Sequence, residues 1–174
     1  TGGTVFIEPG TYTGAGNEVI FFGPDENNPR NMIVQSDPAN GGSPANTIIN
    51  LQGADEPAFA LGPGLTAAAE VYGLTIENSN YVGGGGAISI GDSSPTILNC
   101  VFVNNHGSAG GAIILANSNT TIRECTFTGN QAVSGDLPVG GAIEIETTTE
   151  VTSGTFTPLV TNCVFSQNTA QTDG

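Results

Sequence analysis

The four residues Gly85-Gly86-Ala87-Ile88 decide the fold, because the chain repeats them. They return as Gly110-Gly111-Ala112-Ile113 and as Gly140-Gly141-Ala142-Ile143. A second motif, which ends in Cys-x-Phe, keeps step with the first and occupies Thr96–Phe102, Thr121–Phe127 and Leu159–Phe165. Two motifs that repeat in phase indicate a solenoid, in which every repeat forms one winding and contacts only its neighbours.

The length and the apolar pattern of the repeat indicate which solenoid forms. Apolar residues alternate within short runs, as in Ile88/Ile90 and Cys100/Phe102, and such alternation predicts strands. Parallel strands joined by helices need crossovers of a dozen or more residues, and a repeat of 25 residues leaves no room for them. We therefore predict an all-β fold, a single-stranded parallel β-helix of roughly six to seven coils with about 20–30 residues each and no long helix.

Stacked windings place equivalent residues above one another, about 4.8 Å apart. Three structural ladders are predicted in this way: Cys100, Cys125 and Cys163; Phe102, Phe127 and Phe165; Asn105, Asn130 and Asn168. The thiols fit small apolar filler of the interior, since a disulfide would leave one cysteine over and three aligned thiols lack tetrahedral geometry. The asparagines are expected at left-handed corners, with amides hydrogen-bonded to the next winding.

The amino-terminal half is less regular than the rest. We expect one domain over residues 1–174, with irregular coils in 1–83 and regular coils in 84–174. Variable loops, where partners would bind, are expected at Gln131–Val139 and Thr147–Pro158. The strands predicted in the irregular half are Val19–Phe22, Met32–Gln35, Thr47–Leu51, Ala58–Leu61 and Val71–Ile76.

Two stretches resemble known β-helical families. Gly2–Tyr12, which reads Gly-Gly-Thr-Val-Phe-Ile-Glu-Pro-Gly-Thr-Tyr, resembles the entry to the first coil of pectate-lyase-like right-handed parallel β-helices. The phased repeats across Gly84–Asn168 are similar to those of polymorphic outer-membrane proteins, the adhesin-like passenger domains of bacterial surface proteins. These resemblances imply a right-handed helix, a bacterial source, and a location that is extracellular or at the cell surface.

The residues after Asn168 read as the approach to another Gly-Gly-Ala-Ile motif. This predicts a fragment of a longer solenoid, whose partners are further coils or copies of the chain end to end. Bare coil ends expose unpaired strand edges, which favour self-association. Stacking of subunits into a fibre is the alternative explanation of the uncapped ends.

Charge excludes two classes of partner. The 174 residues hold 16 Asp and Glu against 2 Arg and no Lys, for a formal charge of −14. A chain with so few cations is unsuited to bind nucleic acid, because it cannot neutralise a row of phosphates. It also lacks the basic clusters that dock on anionic lipid, and no apolar run approaches the roughly 20 residues of a membrane-spanning helix.

The sequence offers few groups for catalysis, and no catalytic residue is predicted. Arg30, Arg123 and His106 are interpreted as solvated surface side chains. Glu144 and Glu146 alternate with isoleucines, so both are expected to project outward from one strand about 7 Å apart. With Glu150 in the adjoining loop they form a hypothetical calcium site, because calcium takes several oxygen ligands; the alternative is a solvated acidic face. The acidic pairs Asp25-Glu26 and Asp55-Glu56 are weaker candidates of the same kind.

Two functions remain open at this stage. The first is an extracellular structural or adhesive rod of a bacterial surface protein, which binds a host or environmental surface or a glycan and self-associates end to end. The second is a carbohydrate-active enzyme, either a polysaccharide lyase or a glycosidase, or a carbohydrate-binding module on the same fold. Glycosidases need two carboxyl groups about 5–10 Å apart, and the equivalent outward positions Ser89, Ile114 and Glu144 share no chemistry.

Overall fold

A computed structural model of the chain describes residues 2–14, 20–22, 30–134, 139–147 and 155–172. Three of the acidic residues singled out from the sequence, Asp25, Glu26 and Glu150, lie outside these ranges, as do parts of both predicted loops.

The described residues form short β-strands and a single 3-10 turn at Pro38–Asn40. The strands of the first half are β1 Thr4–Ile7, β2 Gly10–Thr13, β3 Ile20–Phe22, β4 Ile33–Ser36, β5 Thr47–Asn50, β6 Phe59–Leu61, β7 Glu70–Tyr72, β8 Thr75–Glu77 and β9 Asn80–Tyr81. Those of the second half are β10 Ile88–Gly91, β11 Thr96–Leu98, β12 Val101–Val103, β13 His106–Gly107, β14 Ile113–Ala116, β15 Thr121–Arg123, β16 Thr126–Thr128, β17 Gln131–Ser134, β18 Ile143–Glu146, β19 Leu159–Thr161, β20 Val164–Ser166 and β21 Thr169–Thr172.

These strands assemble into four parallel sheets that run along the helix axis. Sheet A is β1-β4-β7-β11-β15-β19, sheet B is β2-β5-β8-β12-β16-β20, sheet C is β3-β6-β10-β14-β18, and sheet D is β9-β13-β17-β21. The chain passes from A to B, then to D where D exists, then to C, and returns to A one strand further along. The described strands therefore make six windings, and the predicted all-β parallel β-helix is confirmed.

The interior is a set of columns of apolar side chains, one column for each inward position. In sheet A the column runs through Val34, Val71, Ile97 and Ile122, each fully buried. Fully burying a side chain of this size contributes about 1.5–3 kcal/mol, and each winding repeats that contribution at every inward position. Stability therefore accumulates winding by winding rather than in one central core.

The paired glycines are required by the close approach of neighbouring windings. Gly110 and Gly140 adopt φ of +71° and +68°, a region that side chains disfavour. A Cβ on the second glycine, Gly111, would collide with the backbone of Gly141 and Gln131 in the next winding. The Gly-Gly dipeptide thus marks the bend between sheets D and C, where backbone packs directly on backbone.

The structure corrects the predicted strand layout in two places. Val71–Ile76 is not one strand: Gly73, at φ +70°, breaks it into β7 of sheet A and β8 of sheet B. Sheet D was not predicted at all: His106, interpreted as a solvated surface side chain, lies in its strand β13, and Gln131–Ser134, the start of the predicted loop Gln131–Val139, forms its strand β17. Two of its four strands, β9 and β13, have only two residues each, so no alternation is visible in the sequence there.

Candidate functional site

The asparagine ladder is the most continuous polar feature of the interior. Asn105 and Asn130 are fully buried and Asn168 is half-buried. The Asn105 side-chain amide donates to Asn130 Oδ1 at 3.1 Å, and the Asn130 amide donates to Asn168 Oδ1 at 2.9 Å. The same oxygens accept the backbone N–H groups of Asn105 and Asn130, each at 3.0 Å. Each ladder amide also donates to a backbone carbonyl of the preceding winding.

The ladder asparagines are not the left-handed corner residues that the sequence suggested. Positive φ belongs to the preceding position, where Asn104 has +50°, Gly129 has +66° and Gln167 has +55°. The left-handed residue turns the chain, and the next residue then directs its side chain into the interior. One residue therefore turns the chain, and the residue after it makes the hydrogen bonds of the ladder.

One member of this ladder was missed. Ser79 precedes Asn105 in the column, and its N–H donates to Asn105 Oδ1 at 3.2 Å. Its hydroxyl is buried and has no hydrogen-bond partner among the described protein atoms. The segment Leu74–Asn78 is a faint copy of Cys100–Asn104, and extending it by one residue aligns Ser79 with the ladder asparagines, so this copy would have revealed Ser79.

The phenylalanines form a stack inside sheet B. The ring centroids of Phe102 and Phe127 are 4.8 Å apart, and those of Phe127 and Phe165 are 4.9 Å apart, with the rings nearly parallel. In earlier windings the column continues with Ile76, Ile49 and Tyr12. Because the rings follow the winding spacing, this stack joins three consecutive windings along the axis.

The three cysteines are free thiols on one column at the bend between sheets A and B. Cys100 and Cys125 are buried and Cys163 is partly exposed. The Cys100 N–H donates to Cys125 Sγ at 3.4 Å. The thiol of Cys100 beside it and burial raise the pKa of Cys125, and burial raises the pKa of Cys163.

The proposed calcium ligands lie on the outward side of β18. Glu144 is half-buried in the outward column of Ser89 and Ile114, whereas Glu146 is exposed. Burial, and secondly the charge of Glu146, raises the pKa of Glu144. One Glu144 carboxylate oxygen is buried without a partner among the described atoms. The described residues contain no group of three or more His, Cys, Asp and Glu side chains that could hold a metal ion, so calcium binding stays a prediction.

The other candidate residues do not converge. Arg30 and Arg123 are exposed, on different windings. His106 lies at the outer side of sheet D, beside a cleft of about 330 Å³ that is lined mainly by asparagines. Asp55 accepts a hydrogen bond from the Val82 N–H at 2.9 Å, which anchors the connection that follows β9.

A groove of about 290 Å³ runs over the outer face of sheet C. Its lining is apolar and carries two aromatic rings, with Phe21 exposed at one end and Tyr81 along one wall. Ser89 and Ile114 form part of its floor. The sequence pattern did not reveal this groove, because its residues come from four windings and from both sheets C and D.

Comparisons with known proteins show which family the chain belongs to. A search of curated proteins and a search of solved structures each found no match. No helix among the described residues is long and apolar enough to cross a membrane. Residues 46–172, well over half of the chain, match the family described as right-handed β-helix region. The chain therefore belongs to the right-handed β-helix family.

Proposed function

We propose that this chain is a structural and adhesive rod of an extracellular or cell-surface bacterial protein. The observation that carries the proposal is the pair of continuous interior ladders, hydrogen-bonded asparagines and stacked phenylalanines, that tie consecutive windings together along the axis. Buried, fully paired polar networks rigidify a structure. A stiff axis suits a spacer that holds a binding surface away from a cell.

The outer surface is suited to presenting a different side chain on each winding rather than to repeating one chemical group. The outward column of sheet C passes from Phe21 through Ser89 and Ile114 to Glu144, so each winding offers a different side chain. The interior positions beneath it stay aliphatic or aromatic. Surface residues on such a rod are free to differ while the scaffold stays the same.

Further coils or copies of the chain are the proposed partners along the axis. Apolar side chains of the outermost described windings are exposed, with Val5 at 47% and Phe165 at 49%. In sheet A the inward column carries valine at both outermost positions, Val5 and Val160. A further winding of the same type would continue this column and cover both faces.

Binding of a neutral glycan is the second candidate, and the groove on sheet C favours it. The exposed ring of Phe21 and the half-buried ring of Tyr81 both line the groove and offer apolar faces with, in Tyr81, one polar group. An anionic polysaccharide fits less well, since the chain carries a net charge of −14. Cleavage is tested separately from binding, because a groove by itself does not supply an acid and a base.

The rod is tested by imaging and by adhesion. Negative-stain electron microscopy of the full protein at neutral pH is expected to show straight rods or end-to-end filaments, and beads coated with the chain are expected to adhere to cells or surface glycans. Pectin, alginate and neutral glycans are then incubated with the protein, with and without calcium. Release of unsaturated or reducing ends would replace the structural proposal with an enzymatic one, and compact, non-adhesive particles would contradict it.

A further inference from the structure

The thiol column repeats its geometry from winding to winding. Each cysteine follows a left-handed residue: Asn99, Glu124 and Asn162 have φ of +50°, +58° and +54°. Each thiol also donates to the carbonyl two residues earlier in the chain, at 3.4, 3.2 and 3.3 Å for Cys100, Cys125 and Cys163. Equal backbone torsions and equal hydrogen bonds place the three sulfurs in line, one winding apart.

The spacing of that line matches a particular coordination geometry. Adjacent parallel strands are about 4.7–4.9 Å apart, and a metal–thiolate bond is similar to the zinc–sulfur length of about 2.3 Å. Two such bonds in line span about 4.6 Å, which is nearly the separation of two stacked sulfurs. A tetrahedral ion cannot use three collinear thiols, but a two-coordinate ion needs only one adjacent pair.

We propose that adjacent thiols of this column bind a soft monovalent cation of the Cu(I) type as a linear sulfur–metal–sulfur bridge. Thiolate ligands select Cu(I), and its filled d shell accepts two ligands in line. Cys125 lies between the other two thiols and belongs to both pairs. This binding is independent of the adhesive role, since it concerns the interior and not the outer surface.

The reaction balances without a redox step. Two Cys–SH groups and one M⁺ give the bridge S–M–S with one net negative charge and release two protons to water. A backbone hydrogen bond is already in place for a thiolate at Cys125, because the Cys100 N–H donates to Cys125 Sγ at 3.4 Å. The charged residues next to Cys125, Arg123 and Glu124, are exposed. Because the metal displaces protons, binding should strengthen as the pH rises.

The proposal is tested by comparing substitutions of the middle cysteine and of the two outer cysteines of the column. The reduced full chain is titrated anaerobically with Cu(I) against a chromophoric Cu(I) chelator, and the bound ion is analysed by X-ray absorption. We expect one bound ion per chain with two sulfur ligands. Cys125→Ala should lose it, because the remaining thiols are two windings, about 9.6 Å, apart. Cys100→Ala and Cys163→Ala should each retain it, because each keeps one adjacent pair.

Each variant removes one thiol, so the three are matched controls for one another. Equal weakening by all three substitutions would indicate independent thiols and overturn the proposal, as would three or four ligands in the absorption spectrum or no competition by the wild-type chain. Thermal unfolding without metal reports whether each variant folds. If Cys125→Ala does not fold, the double variant Cys100→Ala/Cys163→Ala serves instead: it leaves Cys125 alone and must also lose the ion.

Discussion

The early and late windings of this protein fill the same columns with different residues. In the windings of β11–β17 the aromatic column holds Phe102 and Phe127, and the polar column holds Asn105 and Asn130. In the winding of β7–β10 the same positions hold Ile76 and Ser79. Ile76 stays fully buried where phenylalanine stacks elsewhere, whereas the Ser79 hydroxyl is buried without a partner among the described residues.

This difference shows which interior columns accept several types of side chain and which accept only one. An apolar column requires only a buried side chain of suitable volume, and hydrophobic exchanges of that kind are tolerated. The polar column requires an amide, because the Asn130 amide donates two hydrogen bonds, one to a backbone carbonyl and one to the next amide oxygen, and a hydroxyl has only one hydrogen to donate. The late windings satisfy both requirements and the third winding satisfies only the first.

Phe127→Ala should cause the largest loss, because it removes the central ring of the stack and leaves a cavity. Truncation of a fully buried phenylalanine costs about 3–5 kcal/mol. Phe165→Ala is the matched control: its ring is 49% exposed, so its loss should be clearly smaller. Urea unfolding monitored by circular dichroism measures the free energy of unfolding of both variants. Equal decreases in the two variants would contradict the stacked arrangement.

Asn130→Ala should lower the free energy of unfolding nearly as much as Phe127→Ala. It deprives the buried Asn105 N–H of its acceptor and removes the amide's hydrogen bonds to the Phe102 carbonyl and to Asn168 Oδ1, and a buried group left unpaired costs about 1–3 kcal/mol. Asn104→Gly is the control, since Asn104 is exposed at φ +50° and glycine adopts that torsion readily. Urea midpoints should therefore fall for Asn130→Ala and stay within error for Asn104→Gly.

Ser79→Asn should extend the ladder into the third winding and gain about 1 kcal/mol, the net value of a typical internal hydrogen bond. Ser79→Ala should be close to neutral, because it removes a hydroxyl that already lacks a partner. Differential scanning calorimetry compares the two. A large loss in Ser79→Ala would show that the hydroxyl is satisfied, and the contrast between the windings would then fail.

Glu144→Gln should have the smallest effect and a distinctive pH dependence. Burial raises the pKa of Glu144 from its ordinary value of 4.5, so the folded state favours the protonated carboxyl and loses stability as the pH rises past that value. The glutamine variant should therefore be more stable than wild type at neutral pH and equal to it well below pH 4.5. Urea midpoints measured across pH 3–7 test this. A constant difference over that range would exclude the burial effect.

The repeats made most of the fold predictable, and the reason is physical. Identical residues in the same order within each repeat can be buried together only if the windings stack in register, so the columns of Cys125, Phe127 and Asn130 follow from the sequence. What escaped prediction lacks a pattern. Two strands of sheet D, β9 and β13, have only two residues each, and Gly73 splits β7 from β8 through a single torsion.

The candidate sites were less predictable than the columns. Ser79 replaces the residue that defines its ladder, so a search for asparagine passes over it. The groove on sheet C combines Phe21 with Tyr81, which are far apart in sequence and meet only after three windings have formed. Outward positions such as Glu144 carry no repeat, because the solvent side of a solenoid is not constrained by stacking.

The register of the windings is tested most directly by nuclear Overhauser effects in protein labelled at phenylalanine. The ring centroids of Phe102 and Phe127, and of Phe127 and Phe165, are 4.8 and 4.9 Å apart, so cross-peaks are expected for these two pairs. None is expected between Phe102 and Phe165, which are separated by the ring of Phe127. A cross-peak between Phe102 and Phe165, or none between Phe102 and Phe127, would contradict in-register stacking.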